Sequence, residues 1–338
     1  MRAEATDTHA RMWRLVVAFR ISRIIGVAVE LGIPGFLARH PHTSAQLAAD
    51  TGTHEPSLRR MLRAMVAMEV LEEDQEGRFS LTPLGHELRA DRLGPFARFM
   101  DGPIDWESWQ HLDHSIRTGE RAFDHVHGMR NWEYYAAHPD DGVIFDAAMR
   151  SMTEPVSKSV ASTYDFSRAG RFVDAGGGDG TMLIAILAQH PHLTGVLFDR
   201  PSVVERARKR IAEARLGDRA ELVGGSFFEE VPSGADVYLM KSIIHDWNDA
   251  ESVTIMRRCR AAAGTSNAPL LLVERPLSER IGPEDMDAVL SDLNMLVNPG
   301  GRERTDGEYS QLLQQADYRL SRTIPIGFGF QILEALPA

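Results

Sequence analysis

Val173-Asp-Ala-Gly-Gly-Gly-Asp-Gly180 decides how this chain is read. An apolar run that suits a strand breaks into glycines, and the apolar stretch Thr181-Met-Leu-Ile-Ala-Ile-Leu187 opens behind them as a helix. Glycines at such a turn let the backbone reverse tightly and approach a ligand with no side chain in the way. Working outward, strand candidates recur at 172–174, 195–198, 220–223, 237–240 and 270–273, with helical stretches between them. A closing strand pair lies at Arg319–Ile324 and Phe328–Leu333. This alternation predicts an α/β fold over residues 166–338, a Rossmann-like parallel sheet with helices on both faces.

The glycine turn also carries chemistry. Asp199 follows the second strand and suits the two hydroxyls of a ribose, so the pair of features points to a nucleoside-containing cofactor. A dinucleotide fingerprint needs a third glycine where Thr181 stands, and no Gly-Lys-Ser/Thr follows to make a P-loop. Asp174 and Asp179 put carboxylates beside the turn, where they repel a pyrophosphate but tolerate an ammonium and a sulfonium. That choice favours S-adenosyl-L-methionine over NAD or ATP.

The chain has 338 residues, enough for about two domains, and 43% hydrophobic residues, enough to core both. Its net charge of −11 argues against nucleic acid or an anionic membrane as partner. The single cysteine, Cys259, excludes an intrachain disulfide, and neither a secretion signal nor a membrane-length apolar run is present. A cytoplasmic location is the expectation.

Residues 1–100 read as helical, beginning with an apolar helix over Met12–Leu31 that stops at Gly32 and Pro34. Two short helices, a turn and a ribbon pairing Val70–Leu71 with Arg78–Leu81 make a winged helix-turn-helix. A DNA-binding repressor is one reading. The wing, however, carries Glu72, Glu73, Asp74 and Glu76, which phosphate would repel, so a packing module is favoured. Residues 101–165 form a helical linker whose aromatic residues, Trp106, Trp109, Trp132 and Tyr134 among them, suit either a core or the wall of a flat ligand's pocket.

Lys241-Ser-Ile-Ile-His-Asp-Trp-Asn-Asp249 follows the fourth strand and puts His245 where such sheets bind their ligands. Glu274 closes the fifth strand, and Glu303 sits in Asn298-Pro-Gly-Gly-Arg-Glu-Arg-Thr305. Either carboxylate can orient an imidazole. His40-Pro-His42, His125-x-His127 and His190-Pro-His192 lack further ligands at regular spacing and read as surface histidines, so no metal is expected.

These motifs, with Phe198-Asp-Arg-Pro201 and Gly224-Gly-Ser-Phe-Phe228, resemble the plant caffeate/isoflavonoid-type O-methyltransferases and their bacterial antibiotic-biosynthesis branch. The resemblance covers nearly the whole chain. It implies a class I methyltransferase sheet preceded by a winged-helix dimerisation domain, hence a homodimer. It implies that His245 is a general base flanked by Glu274 and Glu303. Gly176, Gly178, Asp199, Ser226, Phe227 and Lys241 would hold S-adenosyl-L-methionine, and Asn298 and Met295 would face the acceptor, with Trp247 as a further aromatic contact. Ser226 departs from the family pattern, which has an acid there. Methylation of a hydroxyl on an aromatic or polyketide-like small molecule is the expected activity. Hydroxylation or rearrangement on the same fold, transfer to nitrogen, and a ligand-sensing regulator are the alternatives.

Overall fold

The computed structural model describes residues 2–338. They pack into two compact units, the residues up to Trp106 with Val143–Met152, and Glu107–Gly142 with Thr153–Ala338. The stretch 101–165, set apart as a linker by its sequence, is therefore shared between the two units.

In the first unit, helices Ser44–Thr51 and Glu55–Ala67 stand beside a small antiparallel sheet of β1 (His42–Thr43), β3 (Arg78–Leu81) and β2 (Leu71–Glu73), in that order. Thr43 and Gln46 cap the first of these helices reciprocally. Leu47, Leu58, Leu62, Met65 and Phe79 fill the core between helices and sheet. The expected single helix over Met12–Leu31 is instead two, Arg2–Val16 and Phe19–Glu30. The helical hydrogen bonds tighten between them, with Ala18 N–H donating to the Leu15 carbonyl and Arg20 N–H to that of Val17. Met12, Trp13, Leu15, Val16 and Phe19, at this break, are each more than half exposed. The wing acids are matched locally: Asp74 accepts from Arg78 at 2.7 Å and Glu73 from Arg59 at 3.3 Å.

The second unit is built on a seven-stranded sheet. Its strands are β4 (Arg171–Ala175), β5 (Thr194–Asp199), β6 (Ala220–Gly224), β7 (Val237–Lys241), β8 (Leu270–Glu274), β9 (Tyr318–Gly327) and β10 (Phe330–Pro337). Their order is β6-β5-β4-β7-β8-β10-β9. The first five strands are parallel, and β10 runs antiparallel to both β8 and β9. Successive residues serve opposite faces: Tyr238, Met240, Leu270 and Leu272 join one core, and Leu239, Leu271 and Val273 the other. That two-sided burial explains why these strands read as unbroken apolar runs. From β4 the chain winds outward through β5 and β6, then crosses back to β7 on the opposite side. The reversal leaves a crevice at the carboxyl ends of β4 and β7, the place where open α/β sheets bind their ligands.

Candidate active site

The glycine turn leaves β4 at this crevice. Gly176 has φ +76°, and a Cβ on it would lie 2.4 Å from Ile243 Cδ1, so only glycine fits. Gly178 N–H donates to Asp199 Oδ2 at 2.9 Å, and Arg200 N–H to Oδ1 at 2.7 Å, which fixes the carboxylate at the end of β5. Asp174 is buried beneath the turn, and its Oδ2 has no hydrogen-bond partner. Burial, and then the charge of Asp199, push its carboxyl up to about 7. Ser226 accepts from Phe228 N–H at 3.3 Å. Phe227 and Phe228 pack edge-on against Trp247, with centroids 5.8 and 4.7 Å away, so the structure puts Trp247 in that aromatic cluster.

Lys241 ends β7. Its Nζ donates to Thr153 Oγ1 at 3.1 Å and lies 5.3 Å from the ring centre of Phe330. Burial lowers the ammonium to about 8, against the pull of Glu274 and Asp246. Ser242 follows at φ +53°, an uncommon conformation for serine, held by its N–H on the Val273 carbonyl. That bend delivers a short 3₁₀ turn, Ile244–Asp246.

His245 stands on this turn with its side chain 12% exposed. Its Nδ1 is 3.0 Å from Glu303 Oε1 and 3.7 Å from Glu274 Oε2, and its Nε2 is 3.5 Å from Asp246 Oδ1. Glu274, fully buried at the end of β8, accepts the Ile243 and Ile244 amides on Oε1. Ser291 Oγ donates to Glu303 Oε1 at 2.7 Å. The second oxygens of both glutamates, Glu274 Oε2 and Glu303 Oε2, are buried without hydrogen-bond partners. Burial alone would lower the imidazole, but the charges of Glu303, Glu274 and Asp246 outweigh it and hold the ring up near 10. Burial raises Glu274 to about 7. Glu303, which burial would also raise, is held below its ordinary value by His245 and Ser291.

The loop that carries Glu303 is fastened to the histidine turn. Arg302 N–H donates to the His245 carbonyl at 2.8 Å, and a Cβ on Gly301 would lie 1.9 Å from that oxygen. Arg304, fully buried, donates to the carbonyls of Ile244 and Trp247 and to Asp249. Asn298 donates to Asn294 Oδ1 at 2.7 Å, which also accepts from Trp109 Nε1 at 3.1 Å, and Met295 is buried beside them. The sequence reading missed Asp246, Ser291 and Arg304. Two signals could have found some of them: Asp246 is the next residue after the histidine, and Arg302-Glu-Arg304 is a charged triplet in a loop otherwise rich in Gly and Pro.

The histidine pairs fall elsewhere: His40, His125 and His192 are exposed, as expected, while His42 is buried. His125 and His127 lie in the helix Ala122–His127. His190 and His192 are bonded through Nε2 to the carbonyls of Ala161 and Phe166. Cys259 is buried.

Residues 109–319 match the family model of the O-methyltransferase domain, and residues 13–91 that of the O-methyltransferase dimerisation domain. This chain belongs to the O-methyltransferase family. It is 38% identical to a phenazine O-methyltransferase of Lysobacter antibioticus over 99% of this chain and 98% of that protein. The solved structure of a mitomycin 7-O-methyltransferase covers 100% of both chains, with a TM-score of 0.90 at 36% identity. An O-methyltransferase of neocarzinostatin biosynthesis, solved with S-adenosylmethionine and 2-hydroxy-5-methyl naphthoic acid, covers 94% of this chain and 96% of its own, with a TM-score of 0.78 at 32% identity. S-adenosylmethionine is the family's methyl donor. The expected fold, a class I methyltransferase sheet behind a helical dimerisation domain, is the one observed. Among the described residues no helix is long and apolar enough to cross a membrane.

Proposed function

We propose that this enzyme methylates a hydroxyl of a flat aromatic or polyketide-like small molecule in secondary-metabolite biosynthesis, with His245 taking the hydroxyl proton. The observation that carries this reading is the imidazole at the end of β7, 3.0 Å from a buried glutamate on a loop bonded to its own turn.

The buried carboxylate oxygens without hydrogen-bond partners on Asp174, Glu274 and Glu303 fit a cationic donor, as does the glycine cradle that a Cβ would fill. Gly176, Gly178 and Asp199 would hold the donor along the glycine turn, with Asp199 toward the ribose. Ser226 and Phe227 would face the adenine, and Lys241 would stand beside the adenosine. When bound, S-adenosylmethionine supplies an electrophilic methyl on a good leaving group. We assign Trp247 to the aromatic wall behind Phe227, and Asn298 and Met295 to the acceptor side. No metal role is assigned to His245, Glu274 and Glu303, although their ligand atoms lie within 4.8 Å of one another. Glu274 Oε1 is spent on two amides and Glu303 Oε1 on Ser291 and His245.

The chemistry follows from proton affinities. A phenol titrates near ~10. A free imidazole near ~6.5 takes that proton uphill by about 5 kcal/mol. The imidazole held near 10 here is matched to the phenol, so carboxylates that raise it also improve it as a base. Base catalysis of this kind contributes about 10²–10⁴-fold, and alignment of two bound reactants about 7–11 kcal/mol. A homodimer is part of the reading, supported by the dimerisation-domain match and the exposed apolar residues at the first helix break.

The test is a mass-spectrometric screen of hydroxyphenazines, hydroxynaphthoates and aminophenols with S-adenosylmethionine. A phenolic product is expected, and His245→Gln should lose about 10²–10⁴ in turnover while binding S-adenosylhomocysteine as the parent does. A second reading, transfer to nitrogen, is favoured by 32% identity over 99% of this chain to a Streptomyces davaonensis 8-amino-8-demethylriboflavin N,N-dimethyltransferase. An amine acceptor needs no strong base, so in that case His245→Gln would keep most of its rate.

A further inference from the structure

Glu303 reaches His245 from a loop, and a loop is only as well placed as its anchors. On one side the histidine turn holds it, as described. On the other stands Arg121, at the start of the helix Ala122–His127. Its Nε donates to the Pro299 carbonyl at 2.6 Å, and its Nη1 donates to Asp124 Oδ2 at 2.9 Å. The guanidinium is therefore aimed by one partner and bonded to the loop by the other, with its side chain only 23% exposed. Gly300 permits the approach. It has φ +85°, and a Cβ there would lie 2.0 Å from Arg121 Nε. Gly300 N–H also closes back onto the Met295 carbonyl at 2.7 Å, so the turn bonded by Arg121 joins the acceptor-side helix Met286–Val297 to the loop of Glu303.

We propose that Arg121 is a positioning residue for the reaction: bonded to Pro299 and aimed by Asp124, it holds the Asn298–Thr305 loop so that Glu303 stays on His245. The proposal rests on the His245 reading above, but its test does not need an acceptor. A carboxylate at 3.0 Å raises the imidazole, and one displaced by an ångström or two raises it less. Glu274 and Asp246 also face His245, from β8 and from its own turn, and neither is bonded to Arg121.

The measurement is a histidine-ring NMR titration of the full-length protein, with the His245 signal assigned by its loss in His245→Gln. Arg121→Ala is expected to move the His245 titration point down by about one pH unit or more, toward the ordinary 6.5. Arg121→Lys, which can still donate to Pro299 but cannot hold Asp124 in the same way, should recover part of the shift. S-adenosylhomocysteine affinity should stay within about twofold in both, since Arg121 lies outside the proposed donor residues. If Arg121→Ala does not fold, Asp124→Asn carries the same test and should give a smaller downward shift. An unmoved titration point in a folded Arg121→Ala or Asp124→Asn overturns the proposal. A His245→Gln enzyme with parental turnover would overturn the base reading instead, whatever Arg121 does to the titration.

Discussion

Three carboxylates around one imidazole favour its protonated form, and a base must begin without that proton. In the protein alone His245 holds it, because Glu303, Glu274 and Asp246 outweigh the effect of burial. Positive charge added to the same pocket favours the neutral ring, so under the base reading proposed above a cationic donor is expected to release this proton, while the acids remain to stabilise the imidazolium formed later. The same proton is linked to stability. A histidine raised from 6.5 to about 10 contributes stability that is whole below 6.5 and is lost as pH rises toward 10. Asp174 and Glu274, raised by burial to about 7, act in the same direction, since their charged forms oppose folding as pH rises through that value. The parent is thus expected to melt at progressively lower temperature from pH 6.5 to 10. Glu303→Gln should flatten that fall, measured by thermal unfolding at fixed ionic strength. An equal fall in both would contradict the assignment of His245's proton to Glu303.

At the scale of elements, the site is a junction between the 3₁₀ turn after β7 and the loop after the helix Met286–Val297. Buried Arg304 and the Arg302 amide join them through the carbonyls of residues 244, 245 and 247. Gly301 makes the join possible, because a methyl there would occupy the space of the His245 carbonyl. Gly301→Ala is therefore expected to cut turnover about tenfold or more by pushing the loop off the turn, with S-adenosylhomocysteine affinity close to the parent's. Much of the element pattern was readable beforehand. Strands β5, β7 and β8 carry apolar residues on both faces, and the glycine turn, Asp199, His245, Glu274 and Glu303 all stand at strand ends or in a motif loop. The break at Val17–Ala18 was not readable, because the apolar spacing runs through it and only a tightened hydrogen-bond pattern marks it. Ser291 was equally hidden, since a buried serine looks like a surface residue until its partner is brought to it from a distant position.

For the whole molecule, the division into two units shows why residues 101–165, assigned as one helical linker, are not a single piece: Val143–Met152 returns to the first unit and the stretches on either side of it stay with the second. Composition and charge said little about the reaction: residues 1–100 are nearly neutral, and the negative excess lies in the remainder of the chain, where Asp174, Glu274 and Glu303 are buried. Proton uptake and release are properties of the complete protein, and they report on that crevice without any acceptor. Calorimetric titration at pH 8 in buffers of different ionisation enthalpy compares S-adenosylmethionine, which carries a sulfonium, with S-adenosylhomocysteine, which does not. Release of about one proton per site with the first, far less with the second, and none with either in His245→Gln is the predicted result. Equal proton release with both, or release unchanged in His245→Gln, would contradict the claim that the acids around His245 hold a proton which the cationic donor displaces.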